Sequence, residues 1–253
     1  MALYFKGIYS PSSTDSGASG NLIMDLYWGV ELYPRLFWNT LDVKTFTNCR
    51  FGMMGWAVMA LTFALKQQEA TGKVADSMAV SVALQLIYIA KFYWWETGYW
   101  QSIDIMHDRA GYMICWGCLV WVPSVYTSPG QYLAGNRARE LGAPLAGTIF
   151  VLGLVAIFLN FHADWQKKIV RASNGKALIY GRPVKLIRAK YTTATGEVKE
   201  SILLASGWWG VVRHFNYAPE LAAAFLWSAP CGFRNVRCCW WSPDRVATFC
   251  PSR

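Results

Sequence analysis

Two indoles held between two glycines, Gly207-Trp208-Trp209-Gly210, are followed at once by Arg213, His214, Phe215, Asn216 and Tyr217. Glycines let backbone and ligand approach closely, indole faces stack on flat rings, and Asn and Tyr meet a ring's polar edge. A core helix has no need of that set in an otherwise apolar stretch; a pocket for a planar heteroaromatic ligand does. Lys167 and Arg171 stand four apart, on one face if the segment is helical. A phosphate would find there a point charge and a planar fork. A helix C-terminus beside a membrane would use the same two residues to oppose its dipole and to fix its orientation. A third constellation is Asp104-Ile105-Met106-His107-Asp108. In a helix Asp104 and Asp108 share a face with His107 beside Asp104, ionisable groups that beside a membrane segment serve a function or, equally, form an interfacial ion cluster with Arg109. A metal site would need a further ligand that the sequence does not offer, so no metal is expected.

The elements that must position these residues are apolar. Of 253 residues 54% are hydrophobic, 16% aromatic and only 15% charged, against roughly 25% charged in an ordinary soluble domain. Such a composition excludes intrinsic disorder and argues against a soluble enzyme. Charge-free runs cover residues 51–65, 77–90, 110–136 and 141–161. A bilayer span needs about 20 apolar residues. The fourth run qualifies outright, the third with Pro123 and Pro129 near its end, and the first two with help from flanking residues. Tyr93-Trp94-Trp95, Tyr99-Trp100, Trp121 and Tyr126 cluster at the run ends, where amphipathic rings favour the headgroup zone or line a cavity. The expected fold is all-α: a polytopic membrane helical bundle, crossing the bilayer several times.

The net charge of +9 is concentrated in one place. Residues 162–201 hold nine Lys/Arg and three Asp/Glu, a net +6, which marks a cytoplasmic loop beside an anionic membrane and not a nucleic-acid partner. Within it, residues 184–191 and 198–203 around Thr195-Gly196 predict a small cytoplasmic β-hairpin. No dinucleotide-binding glycine fingerprint, phosphate loop, nucleophile elbow or zinc-protease helix occurs. Cys115-Trp116-Gly117-Cys118 has redox spacing but an apolar setting, which suits small buried hydrophobes. Residues 231–253, dense in Cys, Arg and Trp, carry no periodicity and form an atypical tail after a membrane domain of residues 1–230.

The 203–217 segment resembles the signature of the sterol reductases, membrane enzymes that reduce sterol double bonds with NADPH. Asp25-Leu26-Tyr27-Trp28-Gly29-Val30-Glu31-Leu32-Tyr33-Pro34-Arg35 is similar to that family's early D-x-x-x-G-x-x-L-N-P-R motif, with Tyr33 where Asn is common. Residues 94–108 are similar to its central motif, and Val122-Pro123-Ser124-Val125-Tyr126-Thr127-Ser128-Pro129-Gly130 points to its Δ7 branch in the plant form. The resemblance implies NADPH as cofactor, a sterol as substrate, and a multi-pass endoplasmic reticulum location in sterol biosynthesis. It implies that Lys167 and Arg171 contact the cofactor's phosphates and that Leu204, Trp209, Asn216 and Tyr217 contact its nicotinamide and ribose; Lys167, Arg171, Trp209, Asn216 and Tyr217 are expected to converge on one cavity. The proton donor stays open among Glu96, Asp104, His107 and Asp108. Family members carry helices before the point where Met1 stands and a further cofactor segment beyond Pro230. The expectation is therefore a middle portion of a reductase with little activity of its own. The rival is a non-catalytic truncated membrane protein of the same fold that binds sterol or a partner.

Overall fold

Apolar residues with few β-branched interruptions make the long elements helical. Helix Met53–Thr71 is stopped by Gly72, whose N–H closes on Gln68. Helix Asp76–Trp94 follows after a short turn. Helix Ala143–Ala172 is the longest, at 30 residues. The computed structural model describes residues 1–14, 16–136, 139–192 and 198–232; the tail beyond 232 and the Thr195-Gly196 turn lie outside them. Among these residues the protein is mostly helical, with three short antiparallel strand pairs. Two helices, Asp76–Trp94 and Ala143–Ala172, are long and apolar enough to cross a membrane.

The second charge-free run thus gives a full-length helix by drawing in Asp76 at one end and the Tyr93–Trp94 aromatics at the other. The third forms a continuous helical stretch, Tyr112–Trp116, Gly117–Trp121 and Val122–Val125, whose middle part is π-helical, and a separate helix Ser128–Gly135 follows. The cause of the π-turn is nonlocal: a second π-turn, Phe46–Gly52, crosses it so closely that a Cβ on Gly52 would lie 2.8 Å from the Cys118 carbonyl oxygen. Cys118 is buried at this crossing and Cys115 half-buried, both as thiols.

The chain divides into two compact units, Met1–Gly147 with Trp227–Arg253, and Thr148–Leu226. In the first, Trp56 lies at the centre, stacked on Tyr126 at 4.6 Å and edge-on to Trp227 at 5.7 Å. Its indole N–H donates to Gln85 Oε1 at 2.7 Å; Gln85 Nε2 donates to Ser81, and Ser81 to the Trp227 carbonyl. Gln67 likewise spans the Leu133 carbonyl and the Ala75 N–H. These buried amides are satisfied at both ends, as apolar surroundings demand. Cys231 packs with Ala60, Met78, Val82 and Leu133 in the same core.

In the second unit the long helix ends where Asn174 and Gly175 both turn left-handed (φ 50° and 83°) and Gly175 N–H returns to Val170. A two-residue hairpin follows, Leu178–Ile179 against Arg182–Pro183, its turn formed by Tyr180 and Gly181 with positive φ. Leu186–Thr192 then pairs antiparallel with Val198–Leu204, within the stretch the sequence marks as a hairpin.

Candidate functional site

Three faces of the long helix decide what the second unit can do. Ala163, Gln166 and Val170 form its buried centre. On one side lie Asn160, Lys167 and Arg171; on the other His162, Trp165 and Ile169. The turn Gly207–Gly210 lies across this surface and sends its two indoles to different partners. Trp208 Nε1 donates to His162 Nδ1 at 2.8 Å, and its backbone N–H donates to Gln166 Oε1 at 3.1 Å. Trp209 Nε1 donates to the Ala163 carbonyl at 2.8 Å. Its ring lies under the Lys167 ammonium, 5.1 Å from the centroid, a cation–π contact worth about 0.5–2 kcal/mol.

Gly207 makes this possible. Its φ is +62°, and a Cβ there would stand 2.3 Å from Gln166 Oε1. Gln166 in turn donates to the Tyr180 hydroxyl at 3.0 Å, so one buried amide ties the Tyr180–Gly181 hairpin to the Trp-Trp turn. Because His162 Nδ1 accepts, the ring is the neutral tautomer with its proton on Nε2.

Of the six cofactor candidates, Lys167 and Trp209 are in direct contact. Arg171 is one turn further along the Lys167 side, exposed. Asn216 reaches the same side through its backbone, its carbonyl accepting from Asn160 Nδ2 at 3.2 Å. Tyr217 is 60% exposed and stacks on His214 at 5.4 Å. Leu204 ends the second hairpin opposite Leu186. Neither Lys167 nor Arg171 has a carboxylate within salt-bridge distance among the described residues. A cavity of about 150 Å³ opens on the opposite side, lined by His162, Trp165, Gln166, Ile169 and Leu178, Ile179, Tyr180; none of the six candidates lines it.

The four acid–base candidates belong to the first unit. Glu96 forms an ion pair with Arg50 at 2.8 Å. His107 Nδ1 and Asp108 Oδ1 are 3.2 Å apart, with His107 69% exposed and edge-on to Trp28 at 5.9 Å. The side chain of Asp104 lies outside the described residues. The helix expected through Asp108 stops at Met106, so Asp104 and Asp108 do not share a helical face. The reason is Lys44, 2% exposed, whose ammonium donates to the Ile105 carbonyl at 2.5 Å and the Asp108 carbonyl at 2.6 Å.

The early motif is fastened to this loop. Ala110 N–H donates to the Glu31 carbonyl, and Arg109 Nη1 donates to the carbonyls of Gly17 and Val30. Gly29 (φ 101°) and Gly111 meet backbone to backbone: a Cβ on Gly29 would lie 2.5 Å from the Gly111 nitrogen. Within the motif, Asp25 accepts the Ser19 N–H at 2.8 Å, and this bond holds its carboxyl below the usual range. Buried Glu31 accepts from Lys6 Nζ at 2.8 Å and from the Ser12 N–H.

The early motif thus closes on the loop that follows the central motif, and the 203–217 segment forms a cationic, aromatic surface with the long helix. Residues 3–243 match the ergosterol biosynthesis ERG4/ERG24 family. The chain belongs to that family. A 7-dehydrocholesterol reductase of Arabidopsis thaliana is 58% identical over 235 residues, 93% of this chain and 54% of the relative. One from Xenopus laevis is 37% identical over 236 residues, 93% of this chain and 50% of the relative. The Delta(14)-sterol reductase TM7SF2 of Mus musculus is 34% identical over 238 residues, 93% and 54%. The chain spans about half the length of the curated relatives it matches. Sequence reasoning in this ERG4/ERG24 member missed Asn160, His162, Gln166 and Lys44. The first three could have been suspected as polar residues at helical spacing inside an apolar run; Lys44 carries no local signal, because its partners lie 61 and 64 positions away.

Proposed function

We propose that this chain is the central part of a multi-pass endoplasmic reticulum enzyme that reduces the C7–C8 double bond of Δ5,7-sterols with NADPH in sterol biosynthesis. The observation that carries the reading is the 58% identity, across nearly all of this chain, to a plant relative of that name. The open apolar side chains of the long helix, Val151, Leu152, Val155 and Phe158, support lipid as its surroundings.

The residues present fit a phosphate-bearing dinucleotide. Two cations with no carboxylate within salt-bridge distance among the described residues stand one turn apart, one already held against an indole. Lys167 and Arg171 bind the phosphates; Trp209 fixes Lys167 from below, and Asn160 sets the backbone at Asn216. Leu204, Asn216 and Tyr217 contact nicotinamide and ribose. Bound NADPH supplies the hydride. The second hydrogen arrives as a proton, and its donor stays open among Glu96, Asp104, His107 and Asp108.

The test is a chimera in which residues 1–230 replace the matching stretch of the Arabidopsis relative, expressed in yeast without competing sterol reductases and fed a Δ5,7-sterol. Conversion to the Δ5 product, read by mass spectrometry, is expected. A chimera that inserts into membranes and leaves the Δ7 bond intact would overturn the assignment.

A further inference from the structure

The second hairpin is amphipathic in an unusual sense. Leu186 and Leu204, opposite one another, are half-buried, with Leu186 packed on Gly175. The other face is apolar too, and open: Ile187 and Leu203 are direct cross-strand partners, 57% and 44% exposed. Lys185 lies two residues before Ile187 on that open face. In the neighbouring hairpin Leu178 and Tyr180 are exposed beside Arg182. Lys176, Arg182, Lys185, Arg188 and Lys190 are all exposed, and the one described acid among them, Glu200, is paired with Arg188 at 3.0 Å. Single exposed apolar residues are common on any surface; here two stand as direct cross-strand partners within a basic surround.

We infer that the Ile187–Leu203 face rests on the headgroup layer of an anionic membrane, its apolar pair dipping among the lipids while Arg182 and Lys185 meet acidic headgroups. Three observations choose lipid over a protein. The excess of positive charge complements an anionic leaflet. The apolar pair is small, a contact suited to shallow insertion. The segment also follows directly on a helix long enough to cross a bilayer, whose exposed Trp165 precedes the basic run. The inference rests on the membrane-spanning reading of that helix. Its consequence is that the strand beginning at Val198 and ending at Leu204, which leads into the Trp-Trp turn, is anchored at a fixed depth.

The experiment uses the full chain in phosphatidylcholine vesicles, with and without phosphatidylserine. A benzophenone-bearing phenylalanine analogue replaces Ile187 in one sample and Phe158 in another, and both are irradiated. Expected is a lipid adduct from position 158 in either vesicle, and from position 187 chiefly when phosphatidylserine is present, falling when Arg182→Glu and Lys185→Glu are combined. Labelling of lipid from 158 but of protein, or of nothing, from 187 would overturn the inference while leaving the spanning helix in place. Equal lipid labelling from 187 in both vesicles would refute its electrostatic part. Failure at position 158 would strike the membrane reading itself, and the inference with it.

Discussion

The two units spend their polar residues in opposite ways. In the first, the large buried polar side chains close on the protein itself: Glu31 on Lys6, Lys44 on two carbonyls, Gln67 and Gln85 each on two partners. In the second, Gln166 does the same, but Lys167 and Arg171 have no carboxylate within salt-bridge distance among the described residues and Tyr217 is exposed. A polar group in an apolar chain costs free energy unless paired. Where the pairing is internal, the residue builds the fold; the proposed cofactor site calls for cations that are not paired in that way. Substitutions in the first unit should therefore read out as stability, and those at the cations as affinity.

The strongest break of that contrast lies at Trp56. It is almost wholly buried, hydrogen-bonded to Gln85 and stacked on Tyr126. Trp56→Ala is expected to lower unfolding free energy by about 3–5 kcal/mol, measured by denaturant titration in mixed micelles. A loss under about 1 kcal/mol would mean that this aromatic cluster is not the core of its unit.

Gly207→Ala tests the one place where the second unit behaves like the first. The substitution forces a Cβ against Gln166 Oε1 at a left-handed φ, a local cost of about 1–3 kcal/mol. Hydrogen exchange should then show the Trp208 amide losing protection, while Gln85-side amides in helix Asp76–Trp94 keep theirs. Unchanged protection at Trp208 would show that Gln166 does not hold the turn.

What the sequence disclosed follows the range of the interactions. The Lys167–Arg171 spacing and the paired strands of the second hairpin were legible because helical period and alternation are local. The pair Trp208-Trp209 stands out in the sequence as a candidate, but its division between two partners does not, since His162, Ala163 and Gln166 lie some forty positions earlier. The helix through Asp104–Asp108 failed because Lys44 caps it at Met106 from a distant turn. The third apolar run is helical as expected but widens to a π-turn where Gly52 presses on Cys118. Both are tertiary contacts that local periodicity does not disclose.

Arg171→Ala sharpens the contrast from the other side. Arg171 is exposed and lacks a carboxylate partner among the described residues, so thermal stability should not change. A charge-assisted hydrogen bond to phosphate is worth about 1.5–3 kcal/mol, so NADPH affinity in the chimera should fall about tenfold or more. NADH, without the 2′-phosphate, should lose little. Equal losses for both dinucleotides, or a lowered melting temperature, would place Arg171 with the structural residues.

The smallest effect is expected at Asp25, a first-unit carboxylate that stabilises by charge. It sits in the first turn of helix Leu22–Trp28, behind the Asn21 cap, where negative charge suits the helix N-terminus. The Ser19 backbone N–H is the main cause of its lowered pKa, the Ser19 side chain and the Arg109 charge lower it further, and burial opposes them. A carboxyl lowered on folding binds its proton more weakly in the native state than in the unfolded one. Its contribution to stability is therefore fully present above the ordinary carboxylate range and disappears as pH falls through the lowered native value. Asp25→Asn keeps the shape and an acceptor for Ser19 but loses the charge. The stability gap between wild type and this variant, measured by denaturant titration at a series of pH values, should be constant near neutrality and close on acidification. A gap that does not change with pH would show that Asp25 acts through its hydrogen bond alone, and that the early motif is held by backbone contacts such as Gly29 on Gly111 with no help from its carboxylate.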